Sequence, residues 1–236
     1  MILYPYPGGG NMKIFGFYIL LTLLTRNPLL ALVVILLILF LVERRFIGLL
    51  PDFTTPWRRA KRVGELQREV RVNPANAEAC LELGEAFLQK GQYEQALSYL
   101  NRAADKMEDH PLFHFYRGAA YYQLGRLEEA RAEIEKSVVI NPKISFGEPY
   151  LYLARITLQQ SPAGEKIENL YQQLLQYGSP KIHYLAGSLF LNYNDKEKAR
   201  RLFRETIENY QVCRGSLRRL YRRWALLSKV GLFYSK

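Results

Sequence analysis

The chain is predicted to be all-α: an N-terminal transmembrane helix, then an α-solenoid of about four helix hairpins, then a C-terminal capping helix. Three observations carry that expectation. A block between Ile14 and Val42 is almost wholly apolar, a short motif returns four times at spacings of 34, 36 and 33 residues, and the last segment repeats its bulky apolar residues at helical spacing.

The apolar block comes first. Fourteen consecutive residues from Leu29 to Val42 (LLALVVILLILFLV) are apolar, and Glu43-Arg44-Arg45 follow at once. A run apolar on every face has no polar side for water, which argues against a core helix. No small-x-small site follows it, which argues against a cleaved signal peptide. Fourteen helical residues rise only about 21 Å, short of a hydrocarbon core of roughly 30 Å. Asn27 as N-cap and Pro28 at the first position start the helix well. Extension to Leu50, before Pro51, gives a span over residues 28–50, with Arg44 and Arg45 snorkelling to the headgroups. One long helix from Ile14 would instead bury Arg26 at mid-membrane, at a cost of about 2.5–3.5 kcal/mol. Residues 13–25 are therefore expected at the interface or partly inserted. Residues 1–11 carry no usable pattern, and Met12 is the expected native start.

Charge is unevenly divided. Residues 1–76 carry a net +6, residues 77–212 a net −2, and residues 213–236 a net +7. Basic residues on the C-terminal side of the span (Arg44, Arg45, Arg58, Arg59, Lys61, Arg62) outnumber Lys13 and Arg26 on the other side. By the positive-inside rule the remaining domain faces the cytoplasm, as in a single-pass protein of a bacterial inner membrane. The same residues, with Arg218, Arg219, Arg222 and Arg223 of the tail, are candidates for contact with anionic lipid. A nucleic-acid role for the tail is disfavoured by the neutral middle domain. Cys80 and Cys213 are far apart and suggest neither a disulfide framework nor a metal cluster.

The repeats follow. Cys80-x-x-Leu83-Gly84-x-x-Phe87 with Ala96-x-x-x-Leu100 returns as His114-x-x-Arg117-Gly118-x-x-Tyr121 with Ala130-x-x-x-Ile134. A third copy reads Tyr150-x-x-Leu153-Ala154-x-x-Thr157 with Leu170, and a fourth His183-x-x-Ala186-Gly187-x-x-Phe190 with Ala199-x-x-x-Phe203. Each is predicted to be two amphipathic helices joined by a turn, at Gly91-Gln92, Gly125-Arg126, Ser161-Pro162 and Asn194-Asp195. The small residues let the paired helices approach, and the large ones fill the space beside them. A lone hairpin cannot bury its apolar face, so neighbours must stack. The third copy departs from the pattern, with Lys166 where a small residue is expected.

This pattern resembles the tetratricopeptide repeat, in units placed at 77–110, 111–144, 147–179 and 180–212. Asn73-Pro74 is in phase with Asn141-Pro142, so residues 51–76 hold a juxtamembrane linker and a capping half-repeat, Trp57 to Val72, with Ala60, Val63, Leu66 and Val70 on its packed side. The tail, residues 213–236, is expected to form a capping helix from Arg214 to Val230 that packs through Leu217, Leu220, Tyr221, Trp224 and Leu227.

The resemblance implies a protein-binding scaffold whose first helices line a groove. On this chain that groove is Leu81, Glu85 and Leu88; Phe115, Ala119 and Tyr122; Leu151, Arg155 and Leu158; Tyr184, Ser188 and Leu191. It suits an amphipathic helix or an extended apolar peptide. The Lys and Asn pattern of relatives that clamp a terminal carboxylate is absent. His110 and His114 are four apart, but Pro111 separates them, so no metal site is expected. With no Gly-rich phosphate loop, nucleophile elbow or recognisable carboxylate pair, no cofactor or enzymatic activity is expected either. The leading expectation is a scaffold at the cytoplasmic face of the membrane. The alternatives are a self-assembling protein whose units stack between copies, as a homo-oligomer, and a membrane tether for nucleic acid.

Overall fold

A computed structural model describes residues 26–42, 55–160 and 164–235. The chain divides into two units, Met1–Pro51 and Asp52–Lys236. In the first, helix α1 runs over Pro28–Val42. The Asn27 side-chain oxygen accepts from the backbone N–H of Leu29 at 3.0 Å and of Leu30 at 3.3 Å. That is the expected cap ahead of a proline without a donor. Leu29, Val33, Leu36 and Leu37 are all more than half exposed. Among the described residues no helix is long and apolar enough to cross a membrane. Helix α1 has 15 residues; the rest of the expected span, 43–50, and the segment 13–25 lie outside the described residues.

The second unit is helical in every described element. It contains α2 (Thr55–Val72), α3 (Ala77–Gln89), α4 (Tyr93–Ala103), α5 (Pro111–Gln123), α6 (Leu127–Ile140), α7 (Glu148–Gln160), α8 (Glu165–Tyr177), α9 (Pro180–Asn192), α10 (Lys196–Val212) and α11 (Gly215–Tyr234). Short 3-10 turns occupy Ala104–Lys106 and Ile144–Gly147. Helices α3/α4, α5/α6, α7/α8 and α9/α10 are the four hairpins, α2 packs on α3, and α11 packs on α9 and α10.

The repeat marks explain the packing. Cys80, His114, Tyr150 and His183 stand at one equivalent position and are all buried. A Cβ on Gly84 would lie 2.5 Å from Leu100, and one on Gly118 would lie 2.5 Å from Ile134 and 3.0 Å from the Ala130 carbonyl. Only glycine permits that approach. The turns need left-handed backbone, supplied by Gly91 (φ +75°), Gly125 (φ +77°) and Asn194 (φ +61°).

The third hairpin is looser, for a visible reason. Thr157 stands where Phe87, Tyr121 and Phe190 fill the other hairpins, and exposed Lys166 stands where Ala96, Ala130 and Ala199 are fully buried. Both line a cleft of about 200 Å³ beside Leu153 and Leu170. A small filler and a long charged side chain together keep α7 and α8 from closing.

Helix α2 is the expected half-repeat. Leu66, 34 residues before Leu100, is 1% exposed, and Val63 and Val70 are also buried. The Asn73 side chain accepts from Ala75 N–H, and Asn141 makes the same bond with Lys143. Ala60 is exposed rather than packed. A cleft of about 340 Å³ opens between α2 and α3, lined by Arg59, Val63, Ala86 and Lys90 among others.

Helix α11 buries only part of the face expected, rotated toward its small residues. Leu217 and Leu220 are 51% and 61% exposed, whereas Ala225 and Ser228 are buried. Gly231 presses on the Phe203 ring, where a Cβ would stand 2.7 Å away. Small residues three apart let the backbone close on Phe203, and that approach sets the rotation of the helix. Tyr221, Trp224 and Leu227 remain half-buried.

Buried side chains form two apolar clusters. One gathers α2, α3 and α4 with Phe113 of α5; the other runs from Ala130 and Ile134 of α6 to Phe203 of α10.

Candidate functional site

Helices α3, α5 and α7, the first helices of successive hairpins, lie side by side. Between them is a concavity of about 400 Å³. Helix α3 supplies Glu85, Leu88 and Gln89, α5 supplies Phe115 and Tyr116, and α7 supplies Glu148 and Tyr152. Its rim is the Ile144–Gly147 turn, through Ser145 and Phe146. It holds Glu85, Leu88 and Phe115 of the residues named from sequence, and Glu85 also borders the cleft between α2 and α3.

Tyr152 is central to the site and was missed. Its ring meets Phe115 edge-on at 5.8 Å and Tyr122 edge-on at 5.3 Å, and the Arg155 guanidinium lies 5.6 Å above it. Tyr116 was missed too. Both tyrosines stand two positions before the small mark of their repeat, Gly118 or Ala154, and that coincidence was the available signal. The Glu85 carboxylate accepts from Gln89 Nε2 at 2.8 Å. Burial first, and then the Glu85 charge and hydrogen bond, push the Tyr116 hydroxyl far above its ordinary range. Burial likewise raises Tyr152, with Glu148 adding to it.

Most of the expected groove residues are buried or half-buried between helices. Leu81, Phe115, Ala119, Leu151 and Leu158 are all under 9% exposed. Adjacent first helices pack on one another through them, and Phe115 alone of the five keeps an edge in the concavity. Tyr184 lies beneath the tail helix, 5.5 Å from the Trp224 ring and 5.9 Å from Phe203. Ser188 Oγ donates to the Tyr184 carbonyl at 3.0 Å, and half-buried Leu191 packs against the core. Tyr122 is half-buried, and its hydroxyl accepts from Gln159 at 3.3 Å.

The basic residues named for a lipid surface differ in how far contacts within the fold engage them. Arg62 is occupied within the fold: its Nε and Nη2 donate to Glu82 at 3.1 and 2.8 Å, and Glu65 and Glu69 lie within 4.0 Å. Lys61 stands 4.0 Å from Glu65. Arg218 stacks over Tyr210 at 5.5 Å, and hydrogen bonds from Arg222 and Arg218 hold the Tyr210 hydroxyl below its ordinary range. Arg223 lies 5.5 Å over Trp224. Arg58, Arg59 and Arg219 are exposed, while Arg44 and Arg45 lie outside the described residues.

His114 belongs to the core. Its Nδ1 lies 2.8 Å from Glu133 and its Nε2 2.6 Å from the Glu108 carbonyl, while His110 precedes α5 as its N-cap residue. Among the described residues no three His, Cys, Asp or Glu side chains gather as a metal site.

The sequence over residues 63–109 and 81–143 matches the family described as Tetratricopeptide repeat. No curated protein matches the chain. Among solved structures, a thermophilic TPR protein of Thermus thermophilus is 19% identical with a TM-score of 0.56, covering 73% of this chain and 93% of that one. PilF of Pseudomonas aeruginosa is 16% identical with a TM-score of 0.53, covering 79% and 87%. A tetratricopeptide repeat protein from Parabacteroides merdae is 14% identical with a TM-score of 0.53, covering 75% and 67%. At these identities the likeness is one of fold. Such folds typically serve as non-enzymatic scaffolds that mediate protein–protein interactions, and the repeat match supports the tetratricopeptide repeat family over residues 63–143.

Proposed function

We propose that the protein is a membrane-anchored scaffold that holds a protein partner, by a helix or an extended peptide, in the concavity between α3, α5 and α7. The observation that carries the binding half is that concavity of about 400 Å³, lined by aromatic rings and two carboxylates. It has the size and the mixed apolar and polar lining of a ligand site. Support for the anchor comes from α1, whose exposed surface is aliphatic, and from the pure apolar run that continues to Val42 before Glu43-Arg44-Arg45. The excess of basic residues after that run favours an inner-membrane protein with its repeats in the cytoplasm.

Two measurements test the anchored scaffold, and a third tests its orientation. Leu88→Ala, at a residue that lines the concavity, should weaken partner capture from detergent-solubilised native membranes while helical content is kept; undiminished capture removes the groove. Alkaline carbonate washing should leave the protein in the membrane pellet, and release into the wash removes the anchor. Protease added to right-side-out vesicles should spare the repeats, whereas digestion there reverses the orientation.

A second reading, self-assembly, is favoured by the far end of the solenoid. Leu226, Val230 and Phe233 of α11 fall on one face and are 44–69% exposed. Large uniform assemblies of the purified chain in detergent would favour it, whereas monomers or dimers favour the scaffold.

A further inference from the structure

The concavity has a chemical character that the repeat pattern does not imply. Among the described residues two acids and no base line it: Glu85 on α3 and Glu148 at the start of α7. Four of its other lining residues are aromatic: Phe115, Tyr116, Phe146 and Tyr152. Phe115 and Tyr116 lie 5.7 Å apart at a tilt, and Tyr152 meets Phe115 edge-on. Aromatic rings and carboxylates lining one half-open pocket attract the same kind of group, a cation with an apolar stem.

The rim gives the same direction. The spacing between the second and third marks is 36 residues, longer than its neighbours at 34 and 33. In this stretch Ser145, Phe146 and Gly147 take three successive left-handed conformations, at φ of +46°, +52° and +84°. For the first two residues that backbone is unfavourable by about 1–2 kcal/mol each. The turn is held in place from behind. The Phe146 carbonyl accepts from Ser179 N–H at 3.1 Å, and Gly147 lies so close to Gly178 that a Cβ would stand 2.9 Å from its Cα. The outcome is a phenylalanine side chain that is 72% exposed at the mouth of an acidic pocket. An exposed ring beside carboxylates is costly to hydrate and available to stack.

Resting on the reading of the concavity as a partner site, we infer that it takes a basic side chain, arginine or lysine, from an apolar-flanked peptide of the partner. The charge enters between Glu85 and Glu148, its aliphatic stem lies against Tyr116 and Tyr152, and Phe146 closes over it. This is opposite in sign to clamping a terminal carboxylate, for which the described lining offers no cation.

The test uses the full-length chain in a neutral detergent and fluorescein-labelled nine-residue peptides of leucine and alanine. These differ only at the centre: arginine, lysine, norleucine or glutamate. Fluorescence anisotropy should rank arginine and lysine about tenfold tighter than norleucine, with glutamate weakest. Glu85→Gln with Glu148→Gln should erase most of that advantage, and Phe146→Ala should weaken the basic peptides, all with unchanged far-ultraviolet circular dichroism. Norleucine binding as tightly as arginine overturns the inference, as does an arginine preference that survives loss of both carboxylates. If norleucine binds as tightly as arginine and Leu88→Ala abolishes it, the partner groove stands while the cation site falls. If no peptide binds, both fall. Dimers that form by light scattering and dissociate in the double variant would replace the separate partner with arginines of a second copy.

Discussion

Glu133 Oε2 lies 2.8 Å from Nδ1 of His114, between the two helices of the second hairpin. Arg117 completes the group, donating to both Glu133 oxygens at 2.9 and 2.8 Å and lying 4.5 Å over the Phe113 ring. Burial pushes the Glu133 carboxyl up, but bonds from His114 and Arg117 outweigh it and leave it below its ordinary value of 4.5. Its contribution to stability is therefore present above that value and lost as pH falls through the lower, folded-state one. Glu133→Ala leaves two buried groups unsatisfied, so urea unfolding at pH 7 should show a loss of about 3 kcal/mol. The difference from the parent chain should shrink in strong acid.

His183 titrates in a separate window. Burial lowers its pKa from the ordinary 6.5, opposed by the bond from Nε2 to the Leu174 carbonyl, 3.0 Å away. The neutral ring is the one the fold accepts. Stability should therefore be full above 6.5 and decline as pH falls toward the lower, folded-state value. Unfolding midpoints measured from pH 7.5 to 5 should show that slope, and His183→Leu should flatten it.

Two glycines should respond oppositely to one substitution. Gly118→Ala would drive a Cβ against Ile134 and the Ala130 carbonyl, which should destabilise by about 1–3 kcal/mol. Gly64, inside α2, has nothing within 4 Å of the added carbon. There Gly64→Ala should stabilise by about 0.5–1 kcal/mol through helix propensity. Thermal midpoints of both variants check the pair.

The loose third hairpin can be filled. Thr157→Phe restores the residue type of Phe87 and Phe190 into the cleft of about 200 Å³ beside Lys166. The added apolar burial should raise stability by about 1 kcal/mol in urea. A lower midpoint would mean that the cleft cannot admit a ring.

The hairpins were legible because their packing is periodic. Cys80, His114, Tyr150 and His183 recur in the sequence as they recur in the core. Gly84 and Gly118 announced a close approach that only their place in the pattern could reveal. Leu81 and Leu151 were assigned to the groove because a repeat read singly does not show which side its neighbour covers. The opening lies one residue further along, at Tyr116 and Tyr152. Phe146 was invisible for another reason. It stands in a departure from the period, where left-handed backbone decides the direction of the side chain. The tail misled through size: Leu217 and Leu220 are large, but Ala225, Ser228 and Gly231 allow the approach that fixes the helix.

The division of the core bears on how stability and occupancy of the concavity would be linked. The two apolar clusters meet around the second hairpin, where His114 and Arg117 of α5 reach Glu133 of α6. Segments with separate cores open as separate cooperative units. The concavity straddles that seam, taking Glu85 from one block and Glu148 and Tyr152 from the other. An occupant held by both would bind only while both are folded, so it couples two melting events into one. Occupancy is then expected to sharpen the unfolding transition as well as raise its midpoint, so that the loaded scaffold answers a pull as a single mechanical body.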